Sequence, residues 1–153
     1  MKDNYTDHAI NIIVAEDDAD DQDLLREAFK ESKFLHNVQF VEDGEQLMQY
    51  LKREGKYSDR KKYPDPGIVL LDLNMPKKDG REALKEIKSH PNLKRIPVII
   101  LSTSRSQQDI LGAYDLGVNC FVSKPSTFTS LLEVTDTLRR HWFEMVELPP
   151  VHP

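Results

Sequence analysis

The side chains best suited to chemistry in this sequence are charged and polar residues that end or directly follow short apolar runs. Glu16 and Asp17 follow the first run, Asp72 follows the third, Ser102 follows the fourth, and Lys124 follows the fifth. If these runs are parallel strands, their carboxyl ends meet at one edge of a sheet, which is where open α/β folds bind ligands. We therefore expect an acidic pocket at that edge.

Each residue of this pocket taken alone has an ordinary structural explanation, such as capping a helix. Two or three carboxylates at one edge, however, repel by roughly 4 kcal/mol per pair at about 4 Å and an effective dielectric constant near 20. Lys124 supplies one compensating positive charge. A hard divalent ion such as Mg²⁺ supplies the rest, because it prefers oxygen ligands. The pattern favours a metal-dependent acidic pocket.

The elements that position these residues follow a repeated β-α order. Predicted strands cover residues 9–15, 38–41, 67–71, 96–101 and 119–122. Runs made almost entirely of Val, Ile and Leu are typical of strands that are covered on both faces in a parallel sheet. Amphipathic spacing predicts helices at residues 20–33, 45–54, 80–90 and 107–116, with a last helix after Pro125. Helices must therefore lie on both faces of the sheet.

This order favours an open, doubly wound α/β sheet. Five β-α units fit the chain, whereas an eight-stranded barrel typically needs about 250 residues. From its 153 residues we expect this chain to hold one domain, without a second folded output domain. The long connection at residues 55–66 is rich in Lys, Arg and Asp, and we expect a solvated loop there.

Four segments resemble the signatures of response-regulator receiver domains, and they occur in that family's order. They are IIVAEDD, LLDLNMP followed by DG, PVIILSTS and CFVSKP. The resemblance covers about residues 9–140 and implies a flavodoxin-like sheet of five parallel strands in the order 2-1-3-4-5.

The resemblance also implies a role for each acidic residue of the pocket. Asp72 would be the phosphoacceptor, and Glu16, Asp17 and Asp72 would hold a Mg²⁺ or Mn²⁺ ion. Asn74 would offer its main-chain carbonyl to that ion. The first acid is Glu where the family pattern has Asp, and this difference leaves the expected function unchanged.

A switch beside the phosphoacceptor is implied in the same way. By this resemblance, Lys124 contacts the phosphoryl oxygens, Ser102 turns its hydroxyl toward the phosphoryl group, and Phe121 changes rotamer with it. Ser102 stands where the family more commonly has Thr. The bond between Lys124 and Pro125 corresponds to a cis peptide in the family. Phosphorylation is then expected to change the protein surface.

These roles agree with the chemistry of a carboxylate nucleophile, which attacks phosphorus and forms a mixed anhydride. The expected function is a phosphoacceptor response regulator in two-component phosphorelay signalling, and not an enzyme with a separate substrate. A sensor histidine kinase would supply the phosphoryl group, and the output would pass through protein–protein interaction. The segment DIxxxYDLGVNCFVSKP and the Trp-Phe pair near the C-terminus resemble regulators that partner phytochrome-type kinases.

Two other functions fit part of the pattern. A haloacid-dehalogenase-like phosphatase also uses an Asp nucleophile and Mg²⁺ after a parallel strand. That family, however, has an acid two residues after the nucleophile, where this chain has Asn74. A degenerate receiver would act without phosphorylation, although every expected site residue is present here. Phosphoryl uptake from acetyl phosphate separates this last alternative from a phosphoacceptor.

Composition excludes several other classes of function. With 21 basic and 26 acidic residues the net charge is -5, so the protein repels phosphate backbones and we expect no direct DNA binding. Cys120 is the single cysteine, which excludes an intrachain disulfide and suits a reducing cytosol. No signal-peptide core and no long apolar run occur, so we expect a cytoplasmic protein without membrane contact. The five histidines lack zinc-site spacing, and no phosphate-binding glycine motif is present.

The chain is expected to divide into a leader at residues 1–8, a receiver domain at residues 9–140 and a helix end with a tail at residues 141–153. In the last helix, an apolar stripe fits against the protein's own sheet and consists of Leu131, Leu132, Leu138 and Trp142. Further apolar side chains, on other faces, are those of Phe143, Met145, Val146 and Leu148. One sheet cannot bury both sets, so we predict a homodimer formed through the tail. The alternative is a tail that folds back along its own domain.

Overall fold

The computed structural model describes residues 11–32, 38–145 and 147–150. Five strands form one parallel sheet in the order β2-β1-β3-β4-β5. The strands are β1 (Ile12–Ala15), β2 (Val38–Val41), β3 (Ile68–Leu71), β4 (Val98–Ser102) and β5 (Cys120–Ser123). The predicted doubly wound sheet and its strand order are confirmed. The predicted leader, residues 1–8, lies outside the described residues.

Five α-helices connect and follow the strands. They are α1 (Ala19–Glu31), α2 (Gly44–Leu51), α3 (Gly80–Ser89), α4 (Gln107–Asp115) and α5 (Phe128–Leu138). Each begins after a short polar side chain that accepts a hydrogen bond from a backbone N–H three residues later; these are Asp18, Asp43, Asp79, Ser106 and Thr127. Such caps satisfy N–H groups that have no partner within the helix. The sequence therefore defines where each helix starts.

The core forms two layers because successive side chains of a strand point to opposite faces. Ile13 and Val69 belong to a layer that α2, α3 and α4 cover, whereas Ile12 and Val14 belong to a layer that α1 and α5 cover. Helices thus lie on both faces, as the apolar strands predict. The carboxyl ends of the strands meet at one edge of the sheet, where Asp17 is exposed and Asp72 is half-buried.

The C-terminal segment differs in part from the expectation. A π-helical turn at Arg139–Met145 continues α5, and Leu138 and Trp142 pack on the core layer under α1 and α5, as predicted. The prediction that Leu148 faces away from its own domain is wrong, since Leu148 packs on that same layer. An extended tail reaches this layer because the backbone leaves the helix before it. Val146, and the side chains of Phe143 and Met145, lie outside what the structure describes.

Two smaller expectations also differ. The connection at residues 55–66 is more than a solvated loop, because it contains the 3-10 helix Gly55–Ser58 and buries Tyr57. The bond between Lys124 and Pro125 is trans. The trans form before proline is favoured by only about 0.5–1 kcal/mol, so the dipeptide alone does not determine the isomer.

None of the helices in the described part of the chain is both long enough and apolar enough to cross a bilayer.

Candidate functional site

Three carboxylates converge where β1 and β3 end. Glu16 directly follows β1 and is buried, at 2% exposure. Asp17 is exposed, and Asp72, which directly follows β3, is half-buried. One oxygen from each of the three lies within 4.8 Å of the others. The predicted acidic pocket therefore exists at the carboxyl edge of the sheet.

Backbone contacts hold Asp72 tightly in this pocket. Its N–H donates to the carbonyl of Ala15 over 3.1 Å, which continues the β1–β3 pairing beyond the strands. The Asn74 N–H donates to Asp72 Oδ1 over 3.4 Å, and the Asn74 residue itself is exposed. A Cβ atom on Gly80 would lie 2.2 Å from the carbonyl oxygen of Asp72. Only glycine permits this approach of α3, so Gly80 helps to fix the Asp72 backbone.

Lys124 brings positive charge to the same edge. Its Nζ forms ion pairs with the Glu16 carboxylate and, over 3.1 Å, with Asp21 Oδ2. The backbone N–H of Lys124 donates to the carbonyl of Ser102 over 2.6 Å, which connects the end of β5 to the end of β4. Asp21 is a site residue that the sequence analysis missed. Its place in the acidic run that opens α1 is visible in the sequence, but its contact with Lys124 depends on how α1 packs on the sheet.

Burial and charge act against each other in this pocket. Burial raises the pKa of Asp72 above its usual range, the positive charge of Lys124 opposes this, and Asp17 adds repulsion. Burial also raises the pKa of Glu16, against the hydrogen bond from Lys124. Burial alone would lower the pKa of Lys124, but its bond to Glu16 and the charge of Asp72 raise the pKa overall. The pocket thus carries excess negative charge that one lysine only partly offsets.

The two predicted switch residues lie beside the pocket. Ser102 is fully buried, and its Oγ accepts a hydrogen bond from the N–H of Ser104 over 3.2 Å. Phe121 is half-buried and packs on the core layer under α2, α3 and α4. The Phe121 N–H donates to the hydroxyl of Tyr114 over 3.3 Å. Both residues therefore connect the pocket edge to α4.

A polar network that the sequence analysis missed joins α3 to α4. The Ser104 hydroxyl donates to Asp109 Oδ2 over 2.6 Å, and Arg81 Nη2 donates to Asp109 Oδ1 over 2.8 Å. These bonds hold the first turn of α4 close to the first turn of α3. Since Ser104 also contacts Ser102, the network reaches from the pocket to α4.

Comparison with known proteins places this site in context. The chain matches the response regulator receiver domain family over residues 12–136. It is 41% identical over 138 residues to Response regulator Rcp1 of Synechocystis sp., covering 90% of this chain and 92% of that protein.

Solved structures agree with that likeness. The phosphorylated cyanobacterial phytochrome response regulator RcpA is 43% identical, with a TM-score of 0.86 and coverage of 94% of this chain and 100% of that one. The Mn²⁺-bound form of Rcp1 is 40% identical, with a TM-score of 0.82 and coverage of 92% and 99%. The similarity therefore spans the fold and more than nine-tenths of this chain.

Proposed function

Because the chain belongs to the response regulator receiver domain family, we propose that Asp72 is the residue that accepts its phosphoryl group. Family membership makes the protein a phosphoacceptor of two-component signalling, with a histidine kinase as its phosphoryl donor. The observation that carries the assignment of Asp72 is its place in the cluster with Glu16 and Asp17, beside Lys124. The only reaction that the protein would catalyse is the uptake and loss of its own phosphoryl group.

The acidic cluster suits a Mg²⁺ or Mn²⁺ ion. Its donors are all carboxylate oxygens within 4.8 Å of one another, a set that hard divalent cations prefer. The relative Rcp1 has been crystallised in a Mn²⁺-bound form. Glu16, Asp17 and Asp72, with the main-chain carbonyl of Asn74, would hold the ion. Once bound, such an ion neutralises charge on phosphoryl oxygens.

Phosphoryl transfer needs one bond to form and one to break. An Asp72 carboxylate oxygen attacks the phosphorus of a phosphohistidine, a phosphorus–oxygen bond forms, and the phosphorus–nitrogen bond breaks with release of the imidazole. Lys124 already lies at the edge where the new negative charge appears. We infer that it exchanges its carboxylate contacts for the phosphoryl oxygens.

Ser102 and Phe121 would pass this event to the surface. The new phosphoryl oxygens accept from the Ser102 hydroxyl, which then leaves its contact with the Ser104 N–H. The volume that Ser102 vacates lies on the side of the sheet where Phe121 is half-buried. The expected output is a changed surface at α4 and β5, which suits signalling by protein–protein interaction.

We further propose that the kinase partner is of the phytochrome type. The similar protein RcpA is described as a phytochrome response regulator. The net charge of -5 disfavours binding to DNA or to an anionic membrane, and the single cysteine supports a cytoplasmic location. Residues 9–140 would form the receiver domain, with the tail at residues 141–153 serving assembly.

A homodimer is proposed on the face formed by β5 and α5. A largely apolar groove of about 500 Å³ lies there, and its walls include Cys120, Val122, Val134 and Trp142. The groove runs along an edge strand and continues into the C-terminal segment. A second copy of the same chain would cover both its own groove and that of its partner.

The decisive experiment compares label uptake from a phosphorylated histidine kinase and from acetyl phosphate. Asp72→Asn should abolish uptake from both donors, because an amide is not a nucleophile toward phosphorus. Asp23→Asn makes the same change on an exposed residue of α1 and should leave uptake unchanged. Uptake at the wild-type rate by Asp72→Asn would overturn the assignment.

The same assay separates the alternatives. A wild-type chain that takes up no phosphoryl from acetyl phosphate would be a degenerate receiver. Steady hydrolysis of an added phosphate ester, without dependence on a kinase, would instead support the phosphatase. Asn74 argues against the phosphatase, since it occupies the position where that family has its second acid.

A further inference from the structure

A second polar cavity lies at the opposite end of the sheet from Asp72. It has a volume of about 470 Å³ and opens beside the residues that precede β3 and β4, including Gly67 and Ile96. Cavities of this size are typical of small-molecule sites. We infer that it binds a small organic oxyanion, a molecule that carries a carboxylate or a similar acid group on an apolar body.

Charge inside the cavity favours an anion. Three arginines line it, Arg53, Arg60 and Arg95, whereas Asp65 is the one carboxylate among the described residues of its walls. Arg53 and Arg60 both pair with Asp65, the latter over 2.9 Å. Arg95 is exposed and makes no ion pair within the described part of the chain. Among the described residues of its walls, positive charges thus exceed negative charges by two, in a protein whose net charge is negative.

The arginines are fixed to different degrees. Arg53 is held in place, since its guanidinium also donates to the carbonyls of Tyr57 and Tyr63. Arg60 reaches the cavity from the long connection before β3, and Arg95 from the turn before β4. A guanidinium presents two parallel N–H groups that match the two oxygens of a carboxylate. Arg95, which makes no ion pair among the described residues, is therefore the group that would contact the ligand directly, with Arg60 lining the cavity beside it.

The remaining walls are apolar and define the ligand's body. Pro66, Leu93 and Pro97 line the cavity from the strand ends and the turn, and Pro149 and Pro150 line it from the C-terminal tail. Prolines offer no backbone N–H, so these walls suit a ring or a short hydrocarbon chain. Binding here would also contact the tail, far from the phosphorylation edge.

The test uses amide correlation spectra of the full chain, unphosphorylated and free of metal, at constant ionic strength. Benzoate is the probe, phenylphosphonate is a second oxyanion on the same ring, and benzamide is the neutral analogue. Millimolar benzoate and phenylphosphonate should each give saturable shifts at Gly67, Leu93 and Ile96 and none at Asp72. Benzamide should give no saturable shift there.

Two variants connect the binding to the cavity. Arg95→Gln should weaken benzoate about tenfold or more, the factor expected when one charge-assisted hydrogen bond is lost. Arg105→Gln removes the same charge from an exposed position outside the cavity and should leave the affinity unchanged. Arg60→Gln serves as a second variant if Arg95→Gln alters the spectrum of the free protein.

Three results would overturn the site. They are the absence of saturable shifts with both oxyanions, equal shifts with benzamide, and an equal effect of Arg95→Gln and Arg105→Gln. Phosphoryl uptake at Asp72 does not enter any of these measurements, so the outcome is independent of the proposed function.

Discussion

At the scale of single residues, Gly80 is where the backbone of α3 approaches Asp72 most closely. Gly80→Ala would place a Cβ atom 2.2 Å from a backbone oxygen that cannot move aside easily. We expect a loss of about 1–3 kcal/mol in the free energy of unfolding and a slower uptake of phosphoryl by the displaced Asp72.

Gly112→Ala is the matched control, because an added Cβ there meets open space on α4. It should stabilise the protein by up to about 1 kcal/mol through helix propensity and leave uptake unchanged. Urea denaturation and phosphotransfer rates measure both effects. Equal behaviour of the two variants would contradict the role given to Gly80.

Burial of Tyr50 should make the free energy of unfolding fall at alkaline pH. The residue is 1% exposed, its hydroxyl donates to the carbonyl of Pro64 over 2.7 Å, and burial raises its pKa to about 12. Its usual pKa is about 10, so the folded state resists ionisation. Below about pH 10, Tyr50 is neutral in both the folded and the unfolded state, and the folded state keeps its full stability. As pH rises from about 10 through about 12, the unfolded state ionises first, so the free energy of unfolding falls by up to about 2.7 kcal/mol.

The comparison is with Tyr50→Phe, which lacks the titrating group. At neutral pH this variant should be less stable by about 1 kcal/mol, because it loses the bond to Pro64. Above about pH 10 the wild-type advantage should shrink, as measured by urea denaturation across the alkaline range. A constant difference between the two proteins would show that Tyr50 titrates normally.

Much of the acidic pocket was predictable because each group directly ends a strand, and parallel strands share a carboxyl edge. Glu16, Asp17, Asp72 and Lys124 follow from that rule alone. Asp21 does not, because its contact with Lys124 depends on the orientation of α1 on the sheet. Periodicity predicts that a helix packs, but not the angle at which it packs.

At the scale of elements, the network of Asp109 with Arg81 and Ser104 should stabilise the start of α4. Asp109→Ala removes both contacts while keeping a good helix former in the helix. We expect several-fold faster amide hydrogen exchange in the first turns of α4 and little change in α5. Asp115→Ala, at the exposed last residue of α4, is the control and should leave the start of the helix unchanged. Unaltered exchange in Asp109→Ala would show that the network does not hold α4.

The structure of the connection at residues 55–66 could not be predicted from the sequence. Its charges suggested a solvated loop, yet Tyr57 lies between Tyr50 and Tyr63, with ring centroids 5.0 Å and 4.9 Å away. The Arg53 side chain donates a hydrogen bond to the carbonyl of Tyr57 and forms an ion pair with Asp65 in the same segment. Strands and helices have a repeating pattern that a sequence displays. An aromatic cluster between irregular segments has none, so only the folded chain reveals it.

At the scale of the whole molecule, the proposed homodimer assembles through the groove between β5 and α5. Val134→Glu places a charge on the groove wall, and a buried charge without a partner is costly, so the variant should be monomeric. Thr129→Glu puts the same side chain on an exposed part of α5 outside the groove and should remain dimeric. Light scattering at micromolar concentration measures the mass of each. A wild-type monomer, phosphorylated or not, would rule the dimer out.

Tyr114 has a consequence for the behaviour of the protein in concentrated solution. β5 is an outer strand, and outer strands are templates on which foreign strands add and aggregates grow. The Tyr114 hydroxyl accepts a hydrogen bond from the Phe121 N–H at this edge, so that N–H cannot pair with a foreign strand. Tyr114 belongs to α4, so any movement of this helix that withdraws the hydroxyl uncovers the strand. Solubility and the position of α4 are therefore coupled: a phosphorylated state that moves α4 away from β5, as proposed above, would also expose this N–H to foreign strands.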